Sequence, residues 1–193
     1  KIMKKLSLII AAVFVFGVAN AVVGPTGDDN TAAHTVGIDI ENLAIIDIES
    51  AGNGGSDITL SPSAPTEAGE AVTFSEASNS DLWLNYSSIV SNGKQRSISA
   101  SISDGLPVGL SLKVAASDVV EQYGKGRKGS ANKTPKKLTH GGIDVVTGIG
   151  SCYTGDGANK GTNLTYTLDM EEDKYEQLYQ DSYSVTVTYT ITE

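Results

Sequence analysis

The chain of 193 residues contains one cysteine, Cys152, so it can form no disulfide within itself. Its fold must rest on burial and hydrogen bonding, which a chain of this length can supply. Histidine is nearly as scarce, with only His34 and His140. A zinc site wants more nitrogen and sulfur ligands than these three residues give. Neither histidine has an evident sequence partner to position it as a general base. No paired carboxylates, nucleophile–base arrangement, GxSxG elbow or nucleotide-phosphate loop can be named. The expectation is a protein that is not an enzyme and takes no cofactor or metal. Basic residues are few, 14 against 23 acidic, for a net charge of −9. Phosphate binding requires a basic surface, so this balance argues against nucleic acid as the partner.

Long apolar runs are limited to one. Leu6–Val18 is apolar but for Ser7 and Gly17, follows Lys4 and Lys5, and precedes the small residues of Ala19-Asn20-Ala21. Its 13 residues fall short of the ~20 needed to span hydrocarbon. Residues 1–21 therefore read as a signal peptide starting at Met3. The mature chain is expected to begin at Val22, to be secreted through the periplasm to the cell surface, and not to span a membrane. Taking Lys1, Lys4 and Lys5 from the 14 basic residues leaves 11 against 23 acidic.

What the mature sequence has in abundance is alternation. In Tyr183–Thr192, Val185, Val187, Tyr189 and Ile191 share one face, while Ser184, Thr186, Thr188 and Thr190 share the other. This period of two among β-branched and aromatic residues predicts a strand. Ser97–Ser103, Leu110–Ala115 and Asn163–Leu168 repeat it. Shorter candidates are Val36–Ile40, Ala44–Ile48, Ile58–Leu60, Ala71–Phe74, Leu82–Ser87 and Ile143–Thr147. Gly, Pro, Asn, Asp and Ser clusters separate them. The pattern predicts an all-β fold, an antiparallel immunoglobulin-like β-sandwich of about 8–10 short strands. One short connecting helix is expected over Met170–Tyr179, capped by Asp169. Residues 22–35 read as a flexible leader and 36–193 as a single domain.

Gly124–Leu138 (GKGRKGSANKTPKKL) differs in kind. It gathers Lys125, Arg127, Lys128, Lys133, Lys136 and Lys137 without one acid. With three glycines and a proline, it is expected to bury little and to form a mobile loop or hairpin tip. Its charge makes it the candidate contact for an anionic partner, set against the acidic run Asp169–Asp181. The GKGRKG stretch matches GxGxxG, yet no helical period follows it, so a dinucleotide site is not expected. Asp28-Asp29-Asn30, Asn53–Asp57 and Asp156–Asn159 carry oxygen ligands but lack the spacing of a calcium loop; they read as turns. Cys152 and Trp83, the latter between Leu82 and Leu84, are expected to be buried in the core.

The segment Tyr175–Tyr179 (YEQLY), followed by Tyr183–Ile191 (YSVTVTYTI), resembles the ending of secreted chaperone–usher fimbrial subunits and the related spore-coat-U-like proteins. The paired cysteines of many such subunits are absent, and Ile191, Thr192 and Glu193 run on past the tyrosine. The resemblance implies an incomplete sandwich completed by a strand from a neighbouring subunit in a surface filament. Val36, Ile38 and Ile40, apolar at every second position around Gly37 and Asp39, form the candidate donated strand. The expected partners are other copies or related surface subunits. The alternative is a monomeric extracellular module that binds a glycan or other polyanion, such as acidic polysaccharide.

Overall fold

The computed structural model describes residues 32–52, 55–103 and 105–193. The signal peptide, most of the leader and the Asp28–Asn30 cluster lie outside the described residues. The chain divides into two units, Lys1–Ile38 and Asp39–Glu193, and the second carries every strand among the described residues. The strands are β1 (Leu43–Ser50), β2 (Ser78–Ile89), β3 (Arg96–Ile102), β4 (Leu110–Ala116), β5 (Lys125–Gly126), β6 (Ser130–Ala131), β7 (Lys136–Lys137), β8 (Ile143–Ile149), β9 (Cys152–Tyr153), β10 (Thr162–Met170) and β11 (Val187–Thr192).

They build two antiparallel sheets. The larger runs β5-β9-β2-β10-β4-β7, and the smaller runs β11-β3-β8-β6. The long β2 is the hub of the larger sheet. One of its edges pairs along Leu82–Ile89 with β1, and the other pairs first with β10 and then with β9. The sheets face each other as a sandwich, the all-β antiparallel architecture expected from the alternation. Leu82, Leu84, Tyr86, Leu112, Val114, Leu164, Tyr166 and Leu168 fill the space from one side. Ile98, Ala100, Ile102, Val145, Val146 and Ile149 fill it from the other. In β3 and β10 every second residue is buried, which is the pleat turning one face inward.

Departures from regular pairing have local causes. Ile98 pairs Val146 but Ser99 pairs Asp144, so Val145 is an extra residue in β8. This bulge is why Val145 and Val146, adjacent in sequence, are both buried. A second bulge between Arg96 and Ile98 takes Gly148 into the left-handed region at φ 73°.

Several expectations change. Residues 32–42, with Val36–Ile40 among them, hold no strand. Ile58–Leu60 is not a strand either, although Ile58 and Leu60 pack half-buried against the core. In Ala71–Phe74 only Thr73 forms a bridge, to Ser63. The helix shrinks to a 3-10 helix over Glu172–Gln177, entered at Glu171 without a side-chain cap. No residue of it is buried, so nothing anchors a longer α-helix there. Trp83 does not enter the core. Leu82 and Leu84 both point inward, so the residue between them must face out, in register with Glu49 on β1 and Asn163 on β10.

Candidate functional site: a basic crossover and an open edge

The basic segment is not a free hairpin tip. It leaves the larger sheet at β5, joins the smaller at β6, and returns to the larger at β7. All three two-residue strands sit at the ends of their sheets, so the segment crosses back and forth along one flank of the sandwich. The passage is tight enough to require glycine. Gly126 has φ 88°, and a Cβ there would run into the carbonyl oxygen of Ser151. Gly129 has φ 83°, and a Cβ there would lie 2.5 Å from the carbonyl oxygen of Thr147. These close approaches to β8 and β9 account for the GxGxxG match by packing.

The crossover's cations meet partners from the same molecule. Lys128 is buried, its Nζ donating to Glu121 Oε2 at 2.8 Å. Its carbonyl accepts a 2.6 Å hydrogen bond from the buried Tyr86 hydroxyl. Lys133 lies 2.5 Å from Asp118, and Lys137 lies 3.6 Å from Glu171. Lys113 on β4 reaches Asp169 at 2.7 Å. The basic segment and the start of the acidic run are thus neighbours, joined by the Lys137–Glu171 ion pair. With the Gln95 amide oxygen facing it, the Arg127 guanidinium donates to that neutral acceptor at 3.0 and 3.1 Å. Lys125 and Lys136 stand exposed on β5 and β7.

Cys152 is buried beside this segment, as expected for an unpaired cysteine. Burial pushes its thiol above the usual range, partly offset by the Lys128 ammonium. Tyr86 is likewise pushed up by burial first and by Cys152 second. Neither group is poised for chemistry near neutral pH. His34 lies exposed in the coil before β1. His140 sits in a turn with its ring Nδ1 2.9 Å from the Ile102 carbonyl. Around Asp156, Gly155, Gly157 and Asn159 adopt positive φ, and Gly157 accepts from the Asn85 amide at 3.0 Å, a turn geometry.

The opposite flank is built differently. β1 ends the larger sheet and β11 ends the smaller, each with one hydrogen-bonded neighbour among the described residues. They lie side by side without pairing to each other. Near their ends Asn42 donates to Glu193 at 3.3 Å, and buried Arg96 lies 3.5 Å from Glu193 and donates to Asn42 Oδ1. Val187, Tyr189 and Ile191 cover the core from β11, while Leu43 and Ile45 on β1 remain exposed. The Ile48 amide of β1 is occupied by the Asp47 carboxylate at 2.8 Å, a local device that blunts one donor of the edge. Sequence reasoning found β11 from its alternation. It did not find β1 as the facing edge, because pairing partners are not written in a strand's own period. The six cations line the crossover, and the strand candidate Val36, Ile38 and Ile40 lies in the coil before β1. Against known proteins, the chain matches no family model, no curated protein and no solved structure.

Proposed function

We propose that this is an exported, noncatalytic structural or adhesive subunit of the cell surface that joins its neighbours by strand addition. The observation that carries the reading is, among the described residues, a segment outside any sheet and an edge with no further paired strand in one chain. Val36, Ile38 and Ile40 are 69%, 83% and 71% exposed, an unusual state for alternating apolar residues. Beside one another, β1 and β11 each have one hydrogen-bonded neighbour among the described residues, with apolar side chains near them. Residues 33–40 of one copy supply the chemistry such an edge takes up, backbone groups in an extended run with apolar side chains at every second position. The resemblance of the C-terminal strand to fimbrial subunits points the same way. Deleting residues 22–40 tests it. The truncated protein should keep a cooperative thermal transition and run as a monomer in size-exclusion chromatography, whereas the longer chain forms ladders. Loss of the transition, or ladders that persist, would overturn the reading.

A second reading is a monomeric extracellular module that binds a glycan or other polyanion. It is favoured by the exposed cations of the crossover and by the cleft beside Lys128.

A further inference from the structure

The ion pair at the centre of the crossover is lopsided. The Lys128 side chain is 8% exposed, and the Glu121 side chain that neutralises it is 85% exposed. A buried ammonium requires a counter-charge, since an unpaired charge out of water is costly. The counter-charge here sits on a side chain surrounded by solvent, which can swing away if another carboxylate takes its place. Beside the pair lies a cleft of 340 Å³, lined by Glu121, Gly126, Arg127, Lys128, Gly129, Ser130, Thr147 and Gly148. That is near the lower end of the ~300–1,000 Å³ typical of small-ligand sites. Its lining is two cations, two hydroxyl side chains, glycine backbone and one displaceable carboxylate. The close approaches at Gly126 and Gly129 allow no side chain at either position. Arg127 adds positive charge that is held by a neutral amide, with no carboxylate paired to it among the described residues.

We propose that this cleft binds the carboxylate of a uronic-acid unit in an extracellular polysaccharide, which replaces Glu121 on the Lys128 ammonium. Glu121 identifies the chemistry, because it shows that a carboxylate is held there. Ser130 and Thr147 offer hydroxyl partners to the ring of a sugar acid, and no large apolar side chain lines the cleft to favour a peptide. The proposal rests on the second reading above and is independent of strand addition, because the crossover and the β1/β11 edge occupy opposite flanks.

Calorimetric titration of the exported protein with trigalacturonate tests it, with galactotriose and triglutamate as comparison ligands. Trigalacturonate should bind and galactotriose should not. Glu121→Gln should tighten binding at least threefold by removing the internal competitor. Asp118→Asn and Glu171→Gln make the same charge change along the same segment and should leave affinity within twofold. Lys128→Met should weaken binding at least tenfold, and none of these variants should alter the ladders that strand addition predicts in size-exclusion chromatography. Failure of trigalacturonate to bind overturns the site, as does equal tightening in all three carboxylate variants, which would mean diffuse charge attraction. Triglutamate binding as tightly as trigalacturonate overturns the sugar assignment. If Lys128→Met loses its thermal transition, the comparison of Glu121→Gln with Asp118→Asn decides.

Discussion

Replacing Gly129 by alanine isolates the packing explanation of the glycine motif. The added methyl must adopt φ 83° and would meet the Thr147 carbonyl oxygen at 2.5 Å, Ile149 Cγ1 at 2.9 Å and Val146 Cγ1 at 3.2 Å. The left-handed backbone alone costs about 1–2 kcal/mol for a residue with a Cβ. Crowding a backbone oxygen and two core side chains adds about 1–3 kcal/mol, because the neighbours belong to β8 and cannot turn aside as a surface side chain would. The sum is about 2–5 kcal/mol, a large part of a small domain's total stability. Gly93 provides the comparison. It too has a positive φ, 79°, but a Cβ there meets nothing within 4 Å, so Gly93→Ala should cost only the backbone part, about 1–2 kcal/mol. Urea unfolding of both variants, followed by tryptophan fluorescence and compared at equal m, measures the difference. Equal losses in the two would refute the claim that the segment is pressed against β8, and would reopen a binding role for the motif.

The tyrosines predict the alkaline limit of the fold. Burial, eased by the hydrogen bond with Tyr189, pushes Tyr166 up to about 12; Tyr189 moves the same way, through burial and then through Tyr166, whose hydroxyl is 2.6 Å away. Native pKa values above the ordinary tyrosine value mean that stability is intact below about pH 10 and falls as pH rises toward 12, by about 2–3 kcal/mol for Tyr166. Melting curves between pH 8 and 12 should show this, with a shallower decline in Tyr189→Phe. In the core, Leu84→Ala, at a fully buried position, should cost about 2–5 kcal/mol. Trp83→Ala on the outer face should cost under about 2 kcal/mol. Urea midpoints in the reverse order would mean that β2 is turned over.

The long strands were legible because each carries its own signal. Arg96–Ile102 buries alternate residues along its whole length and Thr162–Met170 does so up to Leu168, and alternation is local information. Trp83 shows how the same signal can be overridden by residue type. A large aromatic between two leucines invites a core placement, yet the pleat allows only the leucines or the tryptophan to face in. The crossover was illegible for a different reason. Two-residue strands have no period to detect, and their order comes from partners on β4, β8 and β9 that lie far off in sequence. Glycine and lysine content suggested freedom, whereas here the glycines allow close contact and Lys128 is buried by it. Val36–Ile40 failed in the opposite sense. Its period is correct for a strand, but a strand also needs a neighbour, and no described residue supplies one.

The two flanks of the sandwich pose the same physical problem and solve it differently. Any pair of open sheets exposes edge strands whose free N–H and C=O groups invite another chain. On one flank the crossover answers this from within, alternating β5, β6 and β7 between the sheets and covering both ends with its own backbone. Three of its lysines, Lys128, Lys133 and Lys137, pair with Glu121, Asp118 and Glu171 of the same molecule, while Lys125, Arg127 and Lys136 keep their charge there. On the other flank no such segment exists among the described residues, and β1 and β11 run side by side unbridged but for the contacts around Arg96, Asn42 and Glu193. A chain with 23 acidic residues against 14 basic ones repels its own copies at long range. Association between copies then requires a short-range, directional attraction strong enough to outweigh that repulsion. Backbone pairing along an open edge is of that kind, and it operates only where a complementary extended segment is presented. That asymmetry, one flank closed by the chain itself and one left open among the described residues, is the ground for proposing strand addition at β1 and β11 and ligand binding at the crossover.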